Sequence, residues 1–185
     1  MRFAGGDDLT LNAYAWMEYG EIPLFRMEDD QRVPIEPLRY ADDLDAIDWL
    51  NENVHGTPVI AEASFGTYRC NGSRFSIATG LPVVIGWQRH QQQQRYLDDL
   101  AEREAALRTL YTEPDTARQL EIIDRYNIEY VIVGQTERHY PTLDGNDCID
   151  TGSPEAIESL EALVGERLEV AFESGSTVIY RVVAE

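Results

Sequence analysis

Residues 128–134 read IEYVIVG, and this stretch is the strongest strand signal in the chain. Five of its seven residues are β-branched or aromatic, which is the composition that strands favour. The segment before it, residues 115–126, has the pattern of a helix that begins at a capping EPD sequence. A helix that leads into a buried strand is typical of α/β folds.

Similar signals on both sides of this stretch extend the pattern. The sequence predicts helices over residues 41–56, 88–111, 115–126 and 153–165, strands over 57–63 and 83–85, and a hairpin that turns at 174–176. Because helices separate most of the strands, we predict an α/β fold: a three-layer sandwich with a mostly parallel, Rossmann-like sheet. The C-terminal hairpin should add an antiparallel edge to that sheet.

The chain has 185 residues, which fits one domain with an appended arm. Residues 1–40 lack a regular pattern, apart from one short helix over LNAYAWMEYG. The following IPLFRMEDDQRVPIEPL contains three prolines and reads as an extended segment. We therefore predict an N-terminal arm over residues 1–40, with a short helix, that packs on a single α/β domain over residues 41–185.

The charge of the chain is strongly acidic. It holds 34 acidic and 15 basic residues, and every basic residue is arginine. Such a protein should avoid nucleic acids and anionic membrane surfaces. Residues 57–112 are the exception, with six arginines against five acidic residues. No apolar stretch is long enough to cross a bilayer, and the N-terminus does not resemble a signal peptide.

The least acidic segment contains a polar sequence that follows an apolar one. LPVVI leads directly into GWQRHQQQQR at residues 86–95. In open α/β sheets, ligands bind at the carboxyl ends of strands, so these residues are candidates for a sugar or phosphosugar site. The candidate residues are Gly86, Trp87, His90, Gln91, Gln94 and Arg95. The alternative is a solvated, glutamine-rich helix start with Trp87 in the core.

Two further sets of residues also follow predicted strands. Glu62 ends the strand over 57–63, where a buried carboxylate needs a partner such as Arg69 or Arg95; otherwise it is exposed. Tyr68 lies beside Arg69 in the next loop and joins this candidate site. The third set is the pair of neighbours at 139 and 140, a histidine and a tyrosine, which a surface loop would equally explain.

The sequence lacks the motifs of common cofactor and catalytic sites. It contains no GxGxxG, P-loop, GxSxG or HExxH, and its three histidines have no metal-ligand spacing. We therefore predict no cofactor and no metal. Cys70 and Cys148 fit no zinc or redox spacing; they form either one disulfide or two unrelated buried thiols. Residues 71–73, Asn-Gly-Ser, are a formal glycosylation sequon.

Three stretches together carry a resemblance to a known family. They are DLDAIDWLNENVHGTPVIAEA, TGLPVVIGWQRHQQQQR and RYNIEYVIVG, in that order. In this order and spacing they resemble the C-terminal soluble region of the Chlor_Arch_YYY family of uncharacterised multi-pass membrane proteins. The family pattern, approximately GW-x-x-H-E-x-x-x-R, maps onto Gly86, Trp87, His90 and Arg95. Gln91 stands where the family has glutamate, which weakens any expectation of carboxylate chemistry there.

The resemblance implies a parent protein similar in plan to membrane glycosyltransferases that use lipid-linked sugars. It places this domain after the last transmembrane helix, on the non-cytoplasmic face, with its own transmembrane domain as a partner. It also implies a role in supporting or recognising a substrate, because catalytic carboxylates of such enzymes usually lie in membrane-domain loops. That location would agree with a disulfide and with the sequon.

These observations leave three hypotheses open. The first is a substrate-recognition or accessory domain, not catalytic when excised, with a concave pocket at the 86–95 junction. The second is a structural interaction module, with Trp87 buried and an exposed apolar patch at residues 22–25. The third is a freestanding hydrolase or transferase, which would need His90 and Glu62 within reach of one substrate.

Overall fold

A computed structural model describes residues 14–65, 70–94 and 99–183. A short 3₁₀ turn at Ala15–Glu18 precedes the regular elements. In chain order these are β1 (Glu21–Glu28), β2 (Gln31–Arg39), α1 (Ala41–Asn53), β3 (Val59–Ala61), α2 (Arg74–Thr79), α3 (Gln88–Gln94), α4 (Leu100–Thr112), α5 (Thr116–Arg125), β4 (Ile128–Val133), α6 (Gln135–His139), β5 (Thr142–Asp144), β6 (Asp147–Ile149), α7 (Pro154–Glu161), β7 (Leu168–Ser174) and β8 (Thr177–Val182). No helix of these described segments is long and apolar enough to span a bilayer.

The strands form two four-stranded sheets, and each of them is mixed. The first has the order β2-β1-β6-β5, with β1 parallel to β6 and the other two pairs antiparallel. The second has the order β3-β4-β8-β7, with β3 parallel to β4 and the other two pairs antiparallel. The α/β class is therefore right, but the mostly parallel, Rossmann-like sheet was a wrong prediction.

The reason for this error lies in how the strands pair. The strand predicted at 83–85 makes only a single parallel bridge, from Val83 to Ile60, and β3 itself is three residues long. The C-terminal hairpin pairs through β8 with β4, so antiparallel pairs dominate the second sheet. The prediction that this hairpin lies at a sheet edge is confirmed, because β7 is the outermost strand.

The N-terminal arm folds into a hairpin that belongs to the first sheet. β1 and β2 pair along most of their length, and the acidic Glu28-Asp29-Asp30 stretch turns the chain between them. Leu24 and Leu38 are buried, and Leu24 pairs with Cys148 on β6. The segment is therefore paired and partly core, and the exposed apolar patch predicted at residues 22–25 is wrong for Leu24.

Local sequence signals explain where the helices begin. Asp115 caps α5 by accepting a hydrogen bond from the Arg118 backbone N–H. Ser153 caps α7 in the same way, and Pro154 occupies its first turn. The single long helix predicted over 88–111 is instead described as two helices, α3 and α4, with residues 95–98 outside the described part. Leu107 and Leu110 of α4 are buried in the core.

Candidate functional site

The carboxyl ends of β3 and β4 bring two glutamates to the same edge of the second sheet. Glu62 directly follows β3, and Glu137 lies in α6, just after β4. Because β3 and β4 are parallel neighbours, these ends meet at one edge. Both side chains are fully buried, as are Asp43 of α1 and Arg74 of α2. We call the four residues Asp43, Glu62, Arg74 and Glu137 the buried charge cluster.

Arg74 stands at the centre of this cluster. Its Nε donates to Asp43 Oδ2, and its two Nη atoms donate to the two oxygens of Glu137 at 2.9 and 2.8 Å. Thr177 of β8 donates a further hydrogen bond to Asp43 Oδ1 at 2.6 Å. One guanidinium with five fixed donors thus ties α1, α2 and α6 together, and Thr177 adds β8 through Asp43.

Glu137 also holds the backbone of both strand ends. The N–H groups of Ala63 and Gly134 donate to its oxygens at 2.8 and 2.9 Å. Burial disfavours its ionised form, but the charge of Arg74 and these hydrogen bonds outweigh burial and keep the pKa of Glu137 below its ordinary value. Glu137 is therefore an ion that fixes the geometry of the edge.

Gly134 is required by the space that the cluster occupies. A Cβ at this position would lie 2.7 Å from Asp43 Oδ1 and 3.0 Å from Arg74 Nη2. Any larger side chain would therefore displace the ion pair. This glycine ends the IEYVIVG strand and lets the charge cluster pack against the backbone.

Glu62 takes its partners from the start of α2. Its two oxygens accept hydrogen bonds from the N–H groups of Phe75 and Ser76, at 2.8 and 2.7 Å. Glu62 is therefore not the exposed strand-end acid of the alternative interpretation. Its predicted pairing with Arg69 or Arg95 stays a prediction, because both arginines lie outside the described residues. Burial raises the pKa of Glu62 to about 7, although the charge of Arg74 and the two N–H groups oppose the rise.

The raised pKa of Glu62 predicts a specific pH dependence of stability. Relative to the ordinary value of 4.5, the folded state holds this proton more tightly than the unfolded chain. The stabilisation is therefore fully present below pH 4.5 and is lost as the pH rises through about 7. Glu62→Gln should remove this dependence, so that the wild type loses on the order of 3 kcal/mol relative to the variant over that range.

Urea unfolding of both proteins at pH 4.5, 6 and 8 measures this difference. Glu129→Gln, which neutralises an exposed carboxylate on β4, is the matched control and should follow the wild type. Parallel pH profiles for the wild type and Glu62→Gln would show that Glu62 titrates normally in the folded state.

The described part of the predicted 86–95 junction lies on the outer side of the same edge. Ser64, two residues after Glu62, donates a hydrogen bond to the Gly86 carbonyl at 3.0 Å. Trp87 and His90 meet edge to face, with ring centroids 5.4 Å apart. The amide of Gln91 lies against Gly86, where a Cβ would be 3.4 Å from its Nε2. His90 is exposed, whereas Gly86, Trp87 and Gln91 are half-buried.

The remaining predicted site residues fall into two groups. Tyr68, Arg69 and Arg95 lie outside the described residues, as does the side chain of Gln94. His139 and Tyr140 follow β4 but do not join the junction as exposed groups. The Nδ1 of His139 lies 3.2 Å from an Asp150 oxygen, and Tyr140 is buried with its hydroxyl donating to the Ser64 carbonyl at 3.2 Å. The surface-loop reading is therefore wrong for Tyr140.

The two cysteines are far apart in the sequence but meet in the folded chain. Cys70 and Cys148 form a disulfide, with Cα atoms 5.7 Å apart, that connects β6 of the first sheet to the segment before α2. The nearby sequon is closed in the folded protein, since the Asn71 amide nitrogen and the Ser73 side chain are both buried. A glycan on Asn71 is incompatible with this packing.

At this sheet edge the acidic side chains are buried, and other polar groups face the solvent. Glu62, Glu137 and Asp43 expose at most 1% of their surface, so no substrate reaches them in this structure. The groups that solvent reaches are the half-buried Trp87 indole, the exposed His90 imidazole and the half-buried Gln91 amide. Across the described ranges, no group of histidine, cysteine, aspartate and glutamate side chains could hold a metal ion. The arrangement can stack and hydrogen-bond a ligand, but it lacks a reachable acid–base pair.

Sequence reasoning missed three members of the charge cluster. Asp43 occupies the same helix stripe as Ala46, Ile47 and Leu50, which is an apolar face. A charge within such a stripe was the available signal. Glu137 stands three residues after Gly134 and bonds its backbone N–H, which is half of a capping box. Arg74 carried no comparable signal.

Comparison with known proteins does not assign the chain to a family. No known protein family and no curated protein matches the chain, so the resemblance to the Chlor_Arch_YYY family remains a prediction. Among solved structures, the chain is similar to the C-terminal globular domain of an oligosaccharyltransferase from Archaeoglobus fulgidus. That similarity covers 75% of this chain and 95% of the other, with 14% identity and a TM-score of 0.44.

Proposed function

We propose that this chain is a substrate-recognition or accessory domain of a multi-pass membrane protein that acts on lipid-linked sugars. Its recognition surface is the junction formed by Gly86, Trp87, His90 and Gln91, and its ligand is a sugar or phosphosugar. The domain lies on the non-cytoplasmic face and is not catalytic when excised. The membrane parent and its chemistry derive from the resemblance of the three sequence stretches.

The observation that carries the proposal is the separation between buried and exposed groups at the sheet edge. Each described carboxylate of the charge cluster is closed off and bonded to Arg74 or to backbone N–H groups. Trp87, His90 and Gln91 stand outside this frame. A few polar hydrogen-bonding groups beside an indole suit binding, whereas acid–base catalysis needs an accessible titratable pair.

These side chains match the chemistry of a sugar. The face of an indole packs on the apolar C–H face of a sugar ring, while an amide and an imidazole exchange hydrogen bonds with its hydroxyls. Of the segments 1–56, 57–112 and 113–185, only 57–112 holds more arginines than acidic residues, so a phosphate meets less repulsion there than in the other two.

The disulfide supports the non-cytoplasmic placement. Disulfides persist in oxidising compartments and are rare in the cytosol. The Cys70–Cys148 bond therefore fits a domain outside the cytoplasm. The sequon does not add support, because its asparagine amide is buried.

Saturation-transfer NMR on this chain tests the proposal. The panel holds simple sugars, sugar phosphates and nucleotide sugars, and His90→Ala and Gln91→Ala are tested beside the wild type. Each substitution removes one or two hydrogen bonds to the ligand. We expect each to weaken binding about three- to tenfold.

The matched control is His55→Ala, which removes an exposed histidine beyond the end of α1. It should leave binding unchanged. Equal losses in His55→Ala and His90→Ala would show that the junction is not the binding site. No binding across the panel, together with lower thermal stability of His90→Ala and Gln91→Ala, would instead make the junction a structural element.

A further inference from the structure

A groove with an aromatic floor lies between α1 and β7, away from the junction. It has a volume of about 420 Å³, and the half-buried Trp49 and Phe172 line it. Their rings are stacked, with centroids 5.5 Å apart and planes at 25°. We call this feature the α1–β7 groove. An indole and a phenyl ring in an open groove offer an apolar surface with the negative π-faces that attract cations.

The rest of the groove lining is acidic. Four carboxylates surround the aromatic pair, and no arginine is among the lining residues; the four are Asp45, Asp48, Glu52 and Glu173. Asp45 accepts a hydrogen bond from Ser174 at 2.8 Å. Within the described part of the chain, no side-chain hydrogen bond or ion pair engages the carboxylates of Asp48, Glu52 or Glu173, although ten described arginines are each paired with acids elsewhere.

This placement of charge is unfavourable for the helix itself. Asp45, Asp48 and Glu52 follow one another at spacings of three and four on α1, so like charges share one face. Glu52 also lies in the last turn, next to the negative end of the helix dipole, and no basic residue balances it there. Unfavourable charge placements that no nearby group offsets are expected at binding surfaces.

The β7–β8 turn next to the groove is held against α1. Asp42 at the start of α1 accepts hydrogen bonds from the backbone N–H and the hydroxyl of Ser176, at 2.7 and 2.8 Å. A Cβ at Gly175 would lie 2.4 Å from Asp42, so the β7–β8 turn packs tightly against the helix. The groove is therefore preformed, and little ordering is needed before a partner binds.

We propose that the α1–β7 groove binds an arginine-bearing segment of a partner protein. A guanidinium can stack on the Trp49–Phe172 pair while its N–H groups donate to Asp48 and Glu52. Arginine suits both contacts better than lysine, because its planar fork stacks on aromatic rings and pairs with carboxylates in bidentate geometry. Such an arginine would supply the positive charge that the groove lacks.

The probe for the test is a short capped peptide of alternating glycine and arginine, titrated into the whole ¹⁵N-labelled chain at about 0.15 M salt. We expect saturable shifts of the Trp49 indole N–H, with Trp16 and Trp87 as internal references. The double variant Asp48→Asn/Glu52→Gln should bind roughly fivefold more weakly. A lysine version of the peptide should bind two- to fivefold more weakly than the arginine version.

The control separates this site from general attraction to an acidic protein. Glu158→Gln/Glu166→Gln removes the same number of exposed charges outside the groove and should bind as the wild type does. Equal weakening in both double variants would overturn the proposal, as would shifts that leave the Trp49 indole unmoved. Preference for an uncharged sugar over the peptide would assign the groove to a different ligand.

Discussion

Arg74→Met should destabilise the folded chain by about 3–5 kcal/mol at pH 7. The substitution keeps an unbranched side chain of similar length but removes the charge between two carboxylates that expose no more than 1% of their surface. Asp43 and Glu137 would then be buried without a counter-ion. Urea unfolding measures the loss, which would be a large fraction of the total stability of a typical domain.

An exposed arginine provides the matched control for this prediction. Arg118 pairs with Glu121 on α5, where both side chains are about half exposed. Arg118→Met should therefore cost less than about 1 kcal/mol. The loss of stability for Arg74→Lys should fall between these two values, since lysine keeps the charge but cannot make the three side-chain hydrogen bonds of the guanidinium. A loss below 1 kcal/mol for Arg74→Met would mean that the carboxylates adapt by taking up protons.

The result would also bear on the recognition surface. Arg74 begins α2, and Glu62 holds the next two N–H groups of the same helix. Ser64 then connects this frame to the Gly86 carbonyl. A ligand site at the junction depends on that chain of contacts. A partly destabilised variant such as Arg74→Lys should therefore weaken sugar binding without altering any group that touches the ligand.

Local patterns predicted most of the secondary structure. Asp115 and Ser153 predicted the starts of α5 and α7, because capping depends on neighbouring residues alone. The β-branched run before Gly134 and the turn at residues 174–176 predicted β4 and the terminal hairpin. In each case the signal and the structure lie within the same ten residues.

Contacts between distant segments could not be read in the same way. The pairing of β1 with β6 joins residues more than a hundred positions apart, so no local signal announced the first sheet. The same holds for the cluster, because Asp43, Arg74 and Glu137 meet only in the folded chain. The candidate residue Glu62 was found from its position after a strand, but its partners in α2 were not.

Removal of the disulfide should have the second large effect on stability. Cys70 and Cys148 are 78 positions apart, so the bond closes a long loop in the unfolded chain. Loop-closure entropy predicts a loss of about 4 kcal/mol for Cys70→Ser/Cys148→Ser. The bond also ties β6 of the first sheet to the segment before α2, which the variant would leave connected by noncovalent contacts and the backbone. Urea unfolding of the oxidised wild type and the double variant measures the difference.

The reductant dependence of the same curves tests the proposed location of the domain. Dithiothreitol should lower the stability of the wild type by about as much as the double substitution does. The double variant itself should not respond to the reductant. A domain that loses about 4 kcal/mol on reduction would be marginal in the cytosol and secure in an oxidising compartment. Identical wild-type curves with and without reductant would remove this support for a non-cytoplasmic domain.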